Sequence, residues 1–328
     1  MKSKTHYELR PSTNISKLPK VEGFDFEKPL NLKKLIQSYA QTGFQAKELG
    51  NAIHIVNTMI REKVPIFLSC TSNIISSGLR DIIKYLIKNK RIKVLVTSAG
   101  GIEEDIIKTI EPFRIGSFDA KGEILADAGI ARIGNLYVTN EQYLHFERFM
   151  NPFFERIYKL QKKQGPLSSN KIIHELGKEI SKLKNKNESI LYWAYKNNID
   201  IYCPCLTDGS IGDLIYFFKN KKKDFYIDIV GDTKKIIDYT LNQEKTAAII
   251  LGGGISKHYV LNANIFKDGL DYAVYISTSQ FFDGSDSGGN QEEAISWNKI
   301  KPDALKAKVY AEATLVFPLL VAATFANK

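Results

Sequence analysis

The hydrophobic pattern of the chain changes at about residue 65. Before it, two segments carry apolar residues at helical spacing: Leu32, Leu35, Ile36 and Tyr39, then Ala46, Leu49, Ile53, Val56 and Ile60. After it, short apolar runs alternate with amphipathic segments. The pattern predicts strands over 66–70, 94–97, 199–202, 247–251 and 272–276, with helices over 75–87 and 103–110. This alternation predicts a mainly parallel sheet.

The fold expected from this order is α/β, with a Rossmann-like, mainly parallel sheet, helices on both of its faces and an N-terminal helical arm. Prolines and isolated charges interrupt the first thirty residues, so residues 1–30 are predicted as an arm and 31–328 as a single domain. Residues 164–170 have linker composition, but strand signals continue beyond them. They are therefore predicted to be a surface loop within that domain.

Composition excludes several classes of protein. With 44% hydrophobic and 25% charged residues, the 328-residue chain is not of the disordered class. The net charge of +10 invites a nucleic-acid partner, yet the lysines are scattered and the one run, Lys221 to Lys223, is followed by Asp224. Without an aromatic and basic module, a solvated loop is the better interpretation, and no nucleic-acid partner is expected.

Three cysteines without framework spacing suggest a reducing, cytoplasmic location. Cys203-Pro204-Cys205 lacks a second pair, so no metal site is expected. The first residues lack the apolar core of a signal peptide. The apolar stretch 315–326 is too short to span a bilayer, so no membrane partner is expected.

Ligands bind parallel sheets beyond the carboxyl ends of the strands, and five loops there contain unusual residues. Thr71-Ser72-Asn73 could cap a helix or hold a phosphate, and the carboxylates after Gly100-Gly101 could bind a ligand or only match a helix dipole. The loop 207–213 could bind a ribose or a cation, or form a turn. Gly252-Gly253-Gly254 resembles a dinucleotide turn, but Lys257 replaces its last glycine.

The fifth loop, 282–288, is the most informative. It contains Asp283 and Asp286, and it is followed closely by Glu293, Trp297 and Lys299. Carboxylates and an indole suit a flexible polycation, and an uncharged lysine amine can act as a nucleophile. The alternative is a polar turn and a helix, with Trp297 in the core and Lys299 outside.

Together these loops resemble the deoxyhypusine synthase family from about Gly23 to Ala326. The matching strings are Thr71-Ser72-Asn73, Ala99-Gly100-Gly101 with Glu103-Glu104, Leu206-Thr207-Asp208-Gly209-Ser210, Gly252 to His258, Asp271 to Tyr275, Phe282 to Gly288, Glu293 to Lys299 and Leu315-Val316-Phe317-Pro318.

The resemblance implies NAD as cofactor, spermidine as substrate and the translation initiation factor 5A precursor as acceptor of an aminobutyl group, carried as an imine on an enzyme lysine. It also implies a homotetramer whose subunits share active sites, and an N-terminal segment that can cover a neighbour's site. Lys299 corresponds to the imine-forming lysine and His258 to the base.

By the same resemblance, the implied polyamine contacts are Glu103, Glu104, Asp213, Asn262, Gly284, Ser285, Asp286, Glu293 and Trp297. The implied NAD contacts are Ser72, Asn73, Ile74, Ile75, Ser76, Ser98, Ala99, Gly100, Glu104, Asp208, Gly253, Thr278, Ser279, Glu312 and Ala313. Four positions depart from the usual family residues: Glu312 replaces Asp, Ser98 replaces Thr, Asn298 replaces Gly and Tyr259 replaces His.

Alternatives remain at this point. Some family members transfer the aminobutyl group to putrescine and make homospermidine. An NAD-dependent deacylase would usually bring a four-cysteine zinc module, which three cysteines cannot supply. A non-catalytic NAD- or polyamine-binding protein would not need both Lys299 and His258.

Overall fold

The computed structural model describes residues 11–327. Its strands are β1 (Ile66–Cys70), β2 (Val94–Val96), β3 (Arg114–Ile115), β4 (Ile130–Ile133), β5 (Leu136–Thr139), β6 (Leu167–Ser168), β7 (Asp200–Tyr202), β8 (Ile227–Asp228), β9 (Ala247–Leu251), β10 (Leu270–Ile276) and β11 (Ile300–Val309).

The helices are α1 (Leu32–Thr42), α2 (Phe44–Arg61), α3 (Ser72–Ser76), α4 (Leu79–Lys88), α5 (Ala99–Ile110), α6 (Gly122–Asp127), α7 (Asn140–Gln164), α8 (Ser169–Ile180), α9 (Ile190–Asn197), α10 (Ser210–Lys221), α11 (Ile229–Leu241), α12 (Gly254–Ala263), α13 (Gln291–Ser296) and α14 (Ala313–Ala323). Short 3-10 turns lie at Lys186–Glu188, Ile265–Lys267 and Phe325–Asn327.

The main sheet has six strands in the order β11-β10-β9-β1-β2-β7, all parallel. The chain builds outward from β1 through β2 to β7, then returns to the other side of β1 with β9. This doubly wound order places the topological switch between β1 and β9, which is where such sheets bind ligands. The predicted Rossmann-like fold is confirmed.

The side chains of β1 explain why the sheet is covered on both faces. All five residues of this strand are buried. Ile66, Leu68 and Cys70 belong to the larger hydrophobic cluster, and Phe67 belongs to a second cluster on the opposite face. Because successive side chains in a strand point to opposite faces, a continuous apolar run needs helices on both sides.

The predicted helix over 75–87 is wrong in its bounds. The structure has two helices, α3 and α4, because Ser77 adopts an extended backbone after the first. The helix predicted over 103–110 begins earlier, at Ala99, since Gly100 and Gly101 are helical. A Cβ on Gly101 would lie 2.3 Å from Thr97 Oγ1, so these glycines let α5 pack closely on the end of β2.

Three sheet elements were not predicted: the antiparallel sheet β3-β5-β4, the two-stranded sheet β6-β8 and the edge strand β11. The predicted loop 164–170 contains the short strand β6. Residues 11–30, the described part of the predicted arm, contain turns, and helices begin at Leu32. Among residues 11–327, no helix combines the length and apolar character needed to cross a bilayer.

Candidate functional site

A glycine turn builds one wall of the crevice at the switch point. Gly252 follows β9 with a positive φ of 85°, and a Cβ there would lie 2.9 Å from Thr71 Oγ1 beyond β1. A Cβ on Gly253 would lie 2.5 Å from the Cα of Ser287. The turn therefore brings three loops together, with no room for larger residues.

The crevice encloses a cavity of about 230 Å³ at the ends of β1, β9, β10 and β11. Seven of the residues assigned to the cofactor by resemblance line it: Asn73, Ile74, Gly253, Thr278, Ser279, Glu312 and Ala313. Glu312 also caps α14, because its carboxylate accepts the Thr314 N–H at 2.9 Å. A short acidic side chain at this position would serve the same purpose.

The other residues assigned to the cofactor lie outside the cavity lining. Ser72, Ile75 and Ser76 are on α3, Ser98 directly precedes α5 (which begins with Ala99 and Gly100), and Asp208 lies just before α10. A Cβ on Gly100 would lie 2.8 Å from the Cβ of Ser72, so α3 and α5 meet directly. The Ile75 side chain is buried in the core. It therefore supports the loop by packing.

Two buried carboxyl groups lie on the first turns of α5. Glu103 accepts the Ile211 N–H at 3.0 Å, and burial together with Asp213 and Asp208 raises its pKa. The Ser76 hydroxyl donates to Glu104, whose pKa burial raises to about 7. Four carboxyl groups thus gather near the ends of β2 and β7, an arrangement that favours a cationic ligand.

A lysine and an imidazole meet at the other end of the crevice. Lys299 Nζ lies 3.2 Å from His258 Nε2 and 5.6 Å from the centre of the Trp297 ring. His258 is on α12, and Lys299 directly precedes β11. Asn298 has a positive φ of 56°, a conformation that Gly and Asn tolerate. This explains how Asn can replace the usual glycine.

The indole of Trp297 is exposed, with 63% of its surface accessible, and Lys299 is half-buried. The alternative that places Trp297 in the core is therefore wrong. Asn262 is exposed one helical turn after His258, and Gly284 and Ser285 lie at the exposed tip of the loop after β10.

The loop 286–289 presents a carboxylate to the same place. Asp286 Oδ2 is buried and has no hydrogen-bond partner, and a Cβ on Gly289 would lie 3.0 Å from Glu293 Oε2. An unpartnered buried carboxylate oxygen is costly unless a ligand supplies a donor. The loop is therefore suited to an ammonium group.

Sequence reasoning missed the residues that hold this loop. The buried Lys257 Nζ donates to the carbonyls of Asp286 and Gly289, the latter at 2.8 Å, and burial lowers its pKa. Lys308 Nζ donates to the Gly288 carbonyl at 2.9 Å. Their partners are backbone atoms far away in sequence. The one available signal was Lys257 at a glycine position of the dinucleotide turn.

The predicted site residues form two groups. One gathers Glu103, Glu104, Asp208 and Asp213 beyond β2 and β7, and the other gathers His258, Asp286, Glu293 and Lys299 beyond β9, β10 and β11. The crevice at the β1–β9 switch lies between them. Over residues 11–327, none of the hydrogen bonds of these side chains joins one group to the other.

Comparison with known proteins decides the family. The deoxyhypusine synthase family model matches residues 34–324. The chain belongs to the deoxyhypusine synthase family. A probable deoxyhypusine synthase of Pyrococcus furiosus is 45% identical over 96% of each chain, and the deoxyhypusine synthase of Nicotiana tabacum is 46% identical over 94% of this chain and 90% of its own.

The crystal structure of an Entamoeba histolytica protein that bears the same enzyme name superposes with a TM-score of 0.67 at 30% identity, covering 93% of this chain and 97% of its own. The prediction of an enzyme of the deoxyhypusine synthase type, a transferase of hypusine biosynthesis, is confirmed.

The cysteines and possible metal ligands were also located. Cys70, Cys203 and Cys205 are free thiols, and burial raises the pKa of Cys70 to about 12. Among the described residues, no group of three or more His, Cys, Asp or Glu side chains is placed to hold a metal ion.

Proposed function

We propose that this chain transfers the aminobutyl group of spermidine to a lysine of the translation initiation factor 5A precursor, with NAD as cofactor and Lys299 as the covalent carrier. The contact between Lys299 Nζ and His258 Nε2, at 3.2 Å, is the observation that carries this proposal. An amine nucleophile needs a base or a proton acceptor beside it, and imidazole serves that purpose near neutral pH.

The crevice at the β1–β9 switch fits a dinucleotide. A side chain at Gly252 or Gly253 would clash with neighbouring loops, so bare backbone faces the cavity, as pyrophosphate binding requires. Asn73, Thr278, Ser279 and Glu312 supply polar atoms around it. When bound there, NAD would accept a hydride from the substrate and later return it.

The carboxylates recognise the polyamine. Asp286 and Glu293 bind and orient ammonium groups near Lys299, and the exposed Trp297 indole packs on the alkyl chain or a cation and limits access of water. His258 accepts the proton from the secondary amine as the adjacent carbon loses its hydride. The substrate imine that results is the electrophile for Lys299.

Lys299 then exchanges with the departing amine. Its Nζ attacks the imine carbon, the bond to the diaminopropane nitrogen breaks, and a proton passes to that nitrogen as it leaves. The aminobutyl group is now an imine on Lys299. The acceptor lysine attacks the same carbon and releases the Lys299 amine, and hydride return completes the secondary amine of deoxyhypusine.

The acidic group beyond β2 and β7 supports a shared site in a homotetramer. Glu103 and Glu104 lie on one side of the crevice and Lys299 on the other, an arrangement compatible with the shared sites that the family resemblance implies. The N-terminal arm is a candidate to cover that site. A cytoplasmic location and the absence of nucleic-acid partners stay predictions from composition.

The acceptor is tested by supplying both candidates. The protein is incubated with NAD, spermidine labelled in the aminobutyl group, and either purified factor 5A precursor or putrescine. Label in the factor 5A lysine supports the proposal. Label only in homospermidine would identify the homospermidine alternative, and label in neither product would contradict both.

A further inference from the structure

Lys108 makes three hydrogen bonds that the proposed chemistry does not use. Its side chain extends from α5, and Nζ donates to the carbonyls of Ile75, Ser76 and Ser77 at 3.0, 2.7 and 2.9 Å. An ammonium group has three N–H donors and no acceptor, so all three donors of Lys108 bind one backbone segment. That segment is the end of α3.

This segment needs such a partner. α3 has only five residues, and the last carbonyls of a helix have no partner within it. A positive charge at a helix C-terminus is also favourable electrostatically. The lysine lies one helical turn after Glu104, which receives the Ser76 hydroxyl, so Lys108 and Glu104 hold the same short helix from one face of α5.

α3 also faces the crevice. Asn73 and Ile74 line the cavity, and Ser72 contacts the beginning of α5. We propose that Lys108 is a positioning residue for the cofactor, whose ammonium fixes the C-terminal carbonyls of α3 and thereby the N-terminal residues that contact the dinucleotide. This inference rests on the proposed use of NAD.

The charge of Lys108 depends on pH within an accessible range. Burial lowers its pKa to about 8; Arg80 on α4 also lowers it, while Asp105 and Glu104 on α5 and Asp81 on α4 oppose the shift. As pH rises through about 8 the ammonium loses a proton. The amine then has two N–H groups for three carbonyls, and α3 loses part of its support.

The test measures NAD binding by calorimetric titration between pH 6.5 and 9.5. Lys108→Met should weaken NAD binding about tenfold or more at pH 7, the effect of losing charged hydrogen bonds at one helix end. Lys108→Arg should bind NAD within about threefold of wild type at pH 7, because guanidinium also donates to carbonyls. In the wild type, we expect the affinity for NAD to decline above pH 8, as Lys108 loses its proton. This decline should be absent in Lys108→Arg, since guanidinium stays charged.

Lys219→Met is the matched control, because Lys219 Nζ also donates to a backbone carbonyl, that of Phe225 at 2.8 Å, outside the site. It should leave NAD affinity unchanged. Hydrogen exchange of residues 71–78, measured without NAD, should accelerate in Lys108→Met and not in Lys219→Met. This measurement reports on the support of α3 whether or not NAD binds.

Unchanged NAD affinity in Lys108→Met would overturn the inference, even if exchange accelerates, because Lys108 would then stabilise α3 without positioning the cofactor. An Arg variant that keeps the wild-type decline above pH 8 would also contradict it. If wild type itself fails to bind NAD, the proposed cofactor is wrong. In that case Lys108 retains only a structural role, read from the exchange rates.

Discussion

The Lys299 amine has two different neighbours, and each contributes a separate property. The His258 ring nitrogen lies within hydrogen-bond distance and can accept a proton. The Trp297 indole lies beside the amine and favours a cation or an alkyl chain over bulk water. Substitution of His258 or of Trp297 alone can therefore separate acceptance of a proton from binding of a cation or an alkyl chain.

Replacing His258 should impair the first half-reaction. His258→Ala should slow NADH formation from spermidine and NAD about 10²- to 10⁴-fold, the usual cost of losing a positioned base. Stopped-flow absorbance of NADH measures it. The exposed His54 on α2 provides the control, since His54→Ala should keep the wild-type rate. A wild-type rate in His258→Ala would mean that His258 only packs beside Lys299.

The carboxylates near Lys299 should govern polyamine affinity. Asp286→Asn and Glu293→Gln should each weaken spermidine binding about tenfold or more while NAD binding stays within about twofold, since each change removes a charge-assisted bond. Calorimetric titration of both ligands measures this. Asp283→Asn is the control, because Asp283 lies in the same loop but is exposed. Wild-type spermidine affinity in both variants would contradict the site assignment.

The buried Glu104 should make stability depend on pH. Burial raises its pKa from the ordinary 4.5 to about 7, so the folded protein binds a proton that the unfolded chain releases between these values. Stability from this residue is present below about pH 4.5 and is lost as pH rises to about 7. Glu104→Gln should therefore be more stable than wild type at pH 8, by about 3 kcal/mol at most.

Urea unfolding at pH 5 and pH 8 tests this. The difference between Glu104→Gln and wild type should be large at pH 8 and small at pH 5. Glu141→Gln, a change at an exposed carboxylate, should show no such dependence. Equal stability of wild type and Glu104→Gln at pH 8 would mean that Glu104 is solvated or paired in the folded protein.

At the scale of elements, one buried ion pair fixes the helix that carries the acidic group. Asp105 on α5 accepts from Arg80 Nε on α4 at 2.7 Å, from Ser189 Oγ at 2.6 Å and from the Ile190 and Leu191 N–H groups that begin α9. Glu103 and Glu104 precede it directly. Their positions beside the crevice thus depend on a contact among three helices.

Breaking this pair should destabilise the whole fold. Asp105→Asn should lower the free energy of unfolding by about 3–5 kcal/mol, because it leaves the buried Arg80 without a countercharge. The surface pair Asp81–Lys84 on the same helix α4 offers the control, and Asp81→Asn should cost less than about 1 kcal/mol. Similar urea midpoints for the two variants would show that Arg80 finds another partner.

Elements with both faces buried were the most predictable from sequence. β1 and β9 have the predicted bounds because every residue of each is buried, which requires a continuous apolar run. β11 was missed because it is an edge strand that carries charges, such as the half-buried Lys301 and the exposed Asp303. The start of α5 was missed because Gly100 and Gly101 usually indicate a loop, whereas here they allow close packing.

The site was predictable only in part, because some of its contacts depend on tertiary structure. Parallel topology brings residues after different strands to one edge, and the family motifs supplied most of them. Lys108 and Lys257 could not be found in this way, because they bind backbone carbonyls whose positions depend on tertiary structure. Lysines that hold loops have no local sequence signature.

At the scale of the whole molecule, the switch of the sheet divides the proposed site. Residues proposed to bind NAD line the β1–β9 crevice, one acidic group lies towards β7 and Lys299 lies towards β11. In the proposed function, NAD would contact spermidine in the crevice between these two groups. The central claim is that Lys299 carries the transferred group between donor and acceptor.

Borohydride trapping tests that claim most directly. The protein is incubated with NAD and spermidine labelled in the aminobutyl group, reduced, digested and mapped by mass spectrometry. We predict label on the peptide containing Lys299 in wild type. In Lys299→Arg no label should be trapped, although NAD and spermidine still bind, because a guanidinium stays protonated and is a poor nucleophile. Label on a different lysine, or full transfer to the acceptor by Lys299→Arg, would contradict the account.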